Sequence, residues 1–227
     1  MSVPAFLSPG DPGRVLVKIC GLVRPADVDA AVAAGADAVG FNFWPGSRRH
    51  LPPVEAAPLV RRLPPHVAAV GVLVDPTREV LLAAVAASGV AAVQLHGDEL
   101  PDLCAGLPVP VMKALRLSRP TDLEPLPRWA AAGVRLFLLD TPNAGFGGSG
   151  RTFDWSLARA PALRGVRWVL AGGLDPGNVA AAVRALAPFA VDVASGVEVS
   201  PREKDPARMA AFVAAVRGAG MAEGTDR

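Results

Sequence analysis

Short runs of branched and apolar residues recur along this chain at 15–20, 38–43, 68–74, 91–96, 111–117, 136–140, 168–172 and 190–195. They lack polar alternation, which is the mark of strands covered on both faces. Helix formers with helical spacing fill the intervals at 26–34, 54–63, 78–88, 99–107, 122–131, 178–186 and 206–217. After the sixth run there is instead a glycine-rich loop, 141–151, and room for a short helix near 155–160. Gly35, Gly89 and Gly133 each stand between a helical segment and the next apolar run. A glycine there accepts the left-handed conformation that ends a helix and turns the chain back to the sheet. Alternating strands and helices with right-handed crossovers require a parallel sheet. Eight such units favour a closed (β/α)8 barrel of the TIM type over an open doubly wound sheet. With no internal linker, residues 14–218 form one α/β domain, between a flexible N-terminal arm (1–13) and a flexible tail (219–227).

Composition narrows the setting. Apolar residues make up 51% of the chain and the mean hydropathy is +0.34, in keeping with strands buried on two faces. No apolar run approaches the roughly 20 residues of a membrane span. The first residues lack the basic start and apolar stretch of a signal peptide. A cytoplasmic protein with no membrane partner is expected. Net charge is +2, without a basic block or interleaved aromatics, so no nucleic-acid partner is expected. Cys20 and Cys104 are the only cysteines and neither has a ligand-spaced neighbour, which argues against a disulfide framework or a zinc site. No His/Asp/Glu cluster has metal spacing, and no dinucleotide-binding or P-loop glycine motif appears.

In such a barrel the chemistry sits at the C-terminal ends of the strands. Cys20 ends the first run, just before Gly21. Alternation puts it on the same face as Lys18, with Val17 and Ile19 turned to the helices. A cation beneath the thiol would favour thiolate over an ordinary thiol, whose pKa is about 8.5. Lys18 needs a partner of its own, and Asp192 on the adjacent eighth strand is the candidate. Asp140 ends the sixth run, and a carboxyl at so apolar a tip suits a proton donor. The two residues would face each other across the mouth, as removal of one proton and delivery of another requires.

Glycine pairs after strands seven and eight occupy the position where this fold binds phosphate through main-chain N–H groups. Gly172, Gly173, Ser195 and Gly196 are the candidates, joined by Gly148, Ser149 and Gly150 of the long loop. Arg48 and Arg49 can reach over the mouth, one of them toward an anionic group. His96, on the same face as Gln94, either polarises a substrate or satisfies its neighbours. Cys104 reads as a structural thiol on a helix.

Several stretches together resemble the phosphoribosylanthranilate isomerase family of tryptophan biosynthesis. They are Lys18-Ile19-Cys20-Gly21, Val93-Gln94-Leu95-His96-Gly97, Leu138-Leu139-Asp140-Thr141, Ala171-Gly172-Gly173-Leu174 and the segments 35–41, 147–155 and 192–198. The likeness runs in order from about Val15 to Arg217. It implies a cofactor-free Amadori rearrangement of a small sugar-phosphate substrate, an aldose–ketose isomerisation. By the same likeness Cys20 is the general base, Asp140 the general acid and Arg49 the contact for the anthranilate carboxylate, while the glycine segments hold the phosphate. His50 and Arg202 depart from the family pattern, the latter at a turn where glycine is expected. A lyase or synthase on a phosphate-binding barrel, or a non-catalytic sugar-phosphate binder, are the competing readings. Monomer and homodimer both remain open.

Overall fold

The computed structural model describes residues 3–140 and 155–220. Its strands are β1 (Leu16–Cys20), β2 (Ala38–Asn42), β3 (Ala68–Leu73), β4 (Ala92–Leu95), β5 (Val111–Arg116), β6 (Leu136–Asp140), β7 (Arg167–Leu170) and β8 (Ala190–Val193). All pair in parallel and in chain order, and β1 closes the ring against β8. The helices are α1 (Pro25–Ala34), α2 (Pro53–Val60), α3 (Arg78–Ser88), α4 (Leu126–Ala131), α5 (Val179–Leu186) and α6 (Pro206–Gly220). A hairpin of β9 (Glu198–Ser200) and β10 (Glu203–Lys204) follows β8. Gly35, Gly89 and Gly133 take φ values of 89°, 72° and 94°, the conformation expected of them.

Two apolar layers follow from strand alternation. Leu16, Ala38, Val70, Met112, Leu138 and Val169 fill the barrel interior. Val17, Ile19, Val39, Phe41, Phe137 and Val191 face outward and pack with helix residues such as Val28, Leu81, Val183 and Phe212. Lys18 and Cys20 alternate with Val17 and Ile19, so both share the inward side with Leu16. Asp37 ties three segments to the base of β1. It accepts Arg14 at 2.5 Å, Arg217 of α6 at 2.9 Å and the Val17 amide at 2.8 Å.

The structure departs from expectation in three places. The helix expected over 99–107 is a single 3-10 turn, Pro101–Cys104. Glu99 is drawn inward instead, accepting Lys113 Nζ at 2.5 Å and the amides of Gly97 and Asp75 at 2.9 and 3.0 Å. The segment is thus pinned at one end and turned by Gly106 (φ 63°) at the other. The helix expected over 122–131 splits into a 3-10 turn (Pro120–Leu123) and α4. Pro125 lies at the break, where proline removes a helix donor. Finally, the arm is docked rather than loose: Phe6 is fully buried beneath the barrel interior.

Candidate active site

Cys20, Asp140, Arg49, His96, Gly172, Gly173 and Ser195 line one cavity at the C-terminal mouth of the barrel. Gly196 packs just behind it, where an added Cβ would strike the Leu174 carbonyl. Gly148, Ser149 and Gly150 lie outside the described residues.

Cys20 points in from the tip of β1, and Gly40 of β2, its register partner, leaves room for it. A Cβ at Gly40 would stand 2.6 Å from the sulfur. Lys18 below is fully buried and donates to Asp192 Oδ1 at 2.8 Å, the partner expected of it. Burial alone would lower the Lys18 pKa, but Asp192 and Cys20 outweigh it and hold the ammonium above the ordinary lysine value. The thiol behaves otherwise than expected. Burial pushes Cys20 up, Lys18 pulls it down, Asp192 pushes it up again, and the net direction is upward. Lys18 does not yield a ready thiolate because burial of the sulfur, with Asp192 acting in the same direction, outweighs its pull.

Asp140 ends β6 and reaches His96, whose Nε2 lies 3.2 Å from Oδ2. Gln94 Nε2 meets His96 Nδ1 at 2.8 Å. An amide nitrogen can only donate, so in this arrangement Nδ1 accepts from Gln94 and Nε2 faces Asp140. Gln94 Oε1 is buried without a hydrogen-bond partner among the described residues, an open acceptor on a side chain that lines the cavity.

The two neighbouring arginines are distinguished by burial: Arg48 is exposed and Arg49 is buried. Gly21 (φ 80°) permits this, since a Cβ there would run into the Arg49 side chain. Arg49 donates from Nε and Nη2 to Glu198 at 2.7 and 2.6 Å. Lys204, also buried, donates to Glu198 at 2.7 Å and to the Ala194 carbonyl at 2.9 Å. Burial would raise the Glu198 pKa, but the two cations hold it below the ordinary glutamate value. Sequence reading missed Glu198, Lys204 and Trp44, which also lines the cavity.

After β7, Gly172 and Gly173 take φ values of 85° and 66°. Their amides make no hydrogen bond to any described residue. The loop beyond them is locked by Asp175 and Asn178, with Asn178 Nδ2 donating to the Gly173 carbonyl at 2.8 Å. Two unpartnered N–H groups are thereby held rigid at the mouth. Among the described residues no cluster of His, Cys, Asp and Glu could hold a metal ion.

A closed ring of parallel strands, with titratable groups and open amides at its C-terminal mouth, defines a (β/α)8 barrel with candidate chemistry at the end where enzymes of this fold carry it. The family model described as N-(5'phosphoribosyl)anthranilate (PRA) isomerase matches residues 17–215. The N-(5'-phosphoribosyl)anthranilate isomerase of Myxococcus xanthus is 48% identical over 89% of this chain and 96% of that protein. That of Nitrosomonas europaea is 44% identical over 90% and 96%. The crystal structure of the Thermotoga maritima phosphoribosyl anthranilate isomerase superposes with a TM-score of 0.81 at 42% identity, covering 90% of this chain and 99% of that one. Another solved phosphoribosyl anthranilate isomerase, in complex with reduced 1-(o-carboxyphenylamino)-1-deoxyribulose 5-phosphate, aligns at 39% identity with a TM-score of 0.78, covering 90% and 99%. The chain belongs to the N-(5'-phosphoribosyl)anthranilate isomerase family, the aldose–ketose isomerases of tryptophan biosynthesis.

Proposed function

We propose that this chain carries out the family's rearrangement with Cys20 as general base and Asp140 as general acid. Asp140 donates a proton to the furanose ring oxygen of N-(5'-phosphoribosyl)anthranilate. The C1–O bond opens and the nitrogen lone pair forms an iminium at C1. Cys20 then removes the C2 proton, and the C2–H electron pair becomes the C1–C2 double bond while nitrogen regains its lone pair. Tautomerisation of this enol, with loss of the C2 hydroxyl proton and gain of one at C1, yields 1-(2-carboxyphenylamino)-1-deoxyribulose 5-phosphate. One proton is given and one taken in the first stage, so no redox partner enters. Iminium formation acidifies the C2 proton enough for a thiolate to serve as base.

In this reading Arg49 meets the anthranilate carboxylate with N–H groups not directed at Glu198. Trp44 offers its ring to the aromatic portion, and His96 holds Asp140 in place. The phosphate rests on the amides of Gly172 and Gly173 with Ser195 and Gly196, joined by Gly148, Ser149 and Gly150. The enzyme is taken to be cytoplasmic. The observation that carries the reading is the convergence of Cys20, Asp140 and two unpartnered glycine amides on one cavity. Freshly generated phosphoribosylanthranilate given to the purified chain should lose its anthranilate fluorescence with catalytic turnover. A folded protein that leaves the signal at its spontaneous rate would overturn the proposal.

A further inference from the structure

At the opposite end of the barrel lies a second cavity, of about 190 Å³. The first residues of β2, β3, β4 and β8 are Ala38, Ala68, Ala92 and Ala190. Barrels of this type more often fill their interiors with branched side chains. Of these alanines Ala92 lines the cavity, and Phe6 of the arm forms part of its wall. The cavity wall is formed by Phe6, Leu7, Val70, Ala92, Met112 and Leu136. An apolar cavity of about 150 Å³ suffices to take up benzene.

Two guanidinium groups stand at its edge. Arg167 is half-buried, lies 5.0 Å over the Phe189 ring and donates to the Ser8 carbonyl. Among the described residues it has no carboxylate partner, and burial alone pulls its pKa down with nothing opposing. Arg135 likewise gives its hydrogen bonds to main-chain carbonyls, those of Ala130 and Val134 at 2.6 and 3.2 Å. Elsewhere in the described structure, half-buried or buried cations such as Lys18, Arg49 and Lys113 face carboxylates. A guanidinium with most of its five donors uncommitted is a fork for a carboxylate, which it binds through charge-assisted, often paired hydrogen bonds.

We infer that this N-terminal cavity is a second binding site, for a small aromatic monocarboxylate whose ring enters the apolar space and whose carboxylate meets Arg167. A nine-heavy-atom ligand of this class binds with a Kd on the order of 1 mM. The catalytic mouth also faces an aromatic acid in the proposed reaction, so the test must tell the two ends apart.

Backbone amide NMR of the intact chain, titrated with benzoate and with its neutral isostere benzamide, does so. Benzoate should shift the Leu7, Met112 and Gly133 amides saturably, benzamide should bind there about tenfold more weakly, and Arg167→Gln should cost benzoate about tenfold while sparing benzamide. Arg49→Gln should leave these shifts unchanged. Shifts confined to Gly21 and Gly172, equal affinity for benzoate and benzamide, or indifference to Arg167→Gln would each overturn the inference. Should Arg167→Gln fail to fold, the comparison of benzoate with benzamide on the unaltered chain decides alone.

Discussion

Glu198 grips the buried Arg49 at two points, 2.7 Å to Nε and 2.6 Å to Nη2, and so fixes the plane of the guanidinium at the cavity wall. Arg49 comes from the loop after β2 and Glu198 from the hairpin after β8, so this pair joins the loops on either side of β1 above Cys20. Lys204 supplies a second cation to the same carboxylate.

Glu198→Gln should therefore impair substrate binding without touching the reacting atoms. The KM for phosphoribosylanthranilate should rise about tenfold or more, given the 1.5–3 kcal/mol range for hydrogen bonds to charged groups, with a smaller change in kcat. Arg49→Lys should behave similarly, because a single ammonium cannot reproduce the planar fork. Steady-state kinetics check this. Unchanged KM in both variants would remove Arg49 from the substrate carboxylate.

Asp140→Asn removes the proposed proton donor but keeps the shape of the β6 tip. Turnover should fall by roughly 10²–10⁴-fold, the range for loss of general acid catalysis. Binding of the reduced carboxyphenylamino-deoxyribulose phosphate, measured by calorimetry, should be retained. His96→Asn should lower kcat less than Asp140→Asn, since His96 acts by holding the carboxylate. Loss of analogue binding in Asp140→Asn would make Asp140 a structural carboxylate.

Burial raises the Cys20 thiol above its ordinary value, and the base works only as thiolate. Activity should thus climb with pH through a limb above that of a free thiol, about 8.5. The two neighbours pull in opposite directions. Lys18→Met should move the thiol further up, and Asp192→Asn should move it down. Thiolate absorbance at 240 nm, followed in each variant with Cys104→Ser as background, measures the shifts. Shifts of the same sign would contradict the electrostatic arrangement drawn here.

The barrel was readable from the chain because its strands are buried on both faces and three of its helices, α1, α3 and α4, are followed by glycines, and both are local properties. The Lys18–Asp192 pair was readable too, since closure of an eight-stranded ring places strands one and eight side by side. What sequence could not show was how charges divide among partners in space. Glu198 and Lys204 sit in a short stretch dense with charge, 198–205, yet both are buried, with Glu198 held between Arg49 and Lys204. The ready thiolate expected from Lys18 fails because burial of the sulfur, joined by Asp192, outweighs the ammonium. The helix expected over 99–107 failed because Lys113 draws Glu99 inward, a contact fourteen residues away that no periodicity reports. Arg202 is instructive in the other direction. It stands where glycine was expected and takes a φ of 74°, anchored by a hydrogen bond to the His50 carbonyl at 2.6 Å.

The proposed rearrangement depends on Cys20 removing the substrate proton. Its most direct test is kcat for Cys20→Ser beside Cys104→Ser, with circular dichroism to show that both fold. Cys20→Ser should lose about 10²–10⁴-fold in turnover, while Cys104→Ser, altered at the end of a 3-10 turn and not among the residues that line the cavity, should work at close to the unaltered rate. Two variants of equal activity would mean that another group takes the proton.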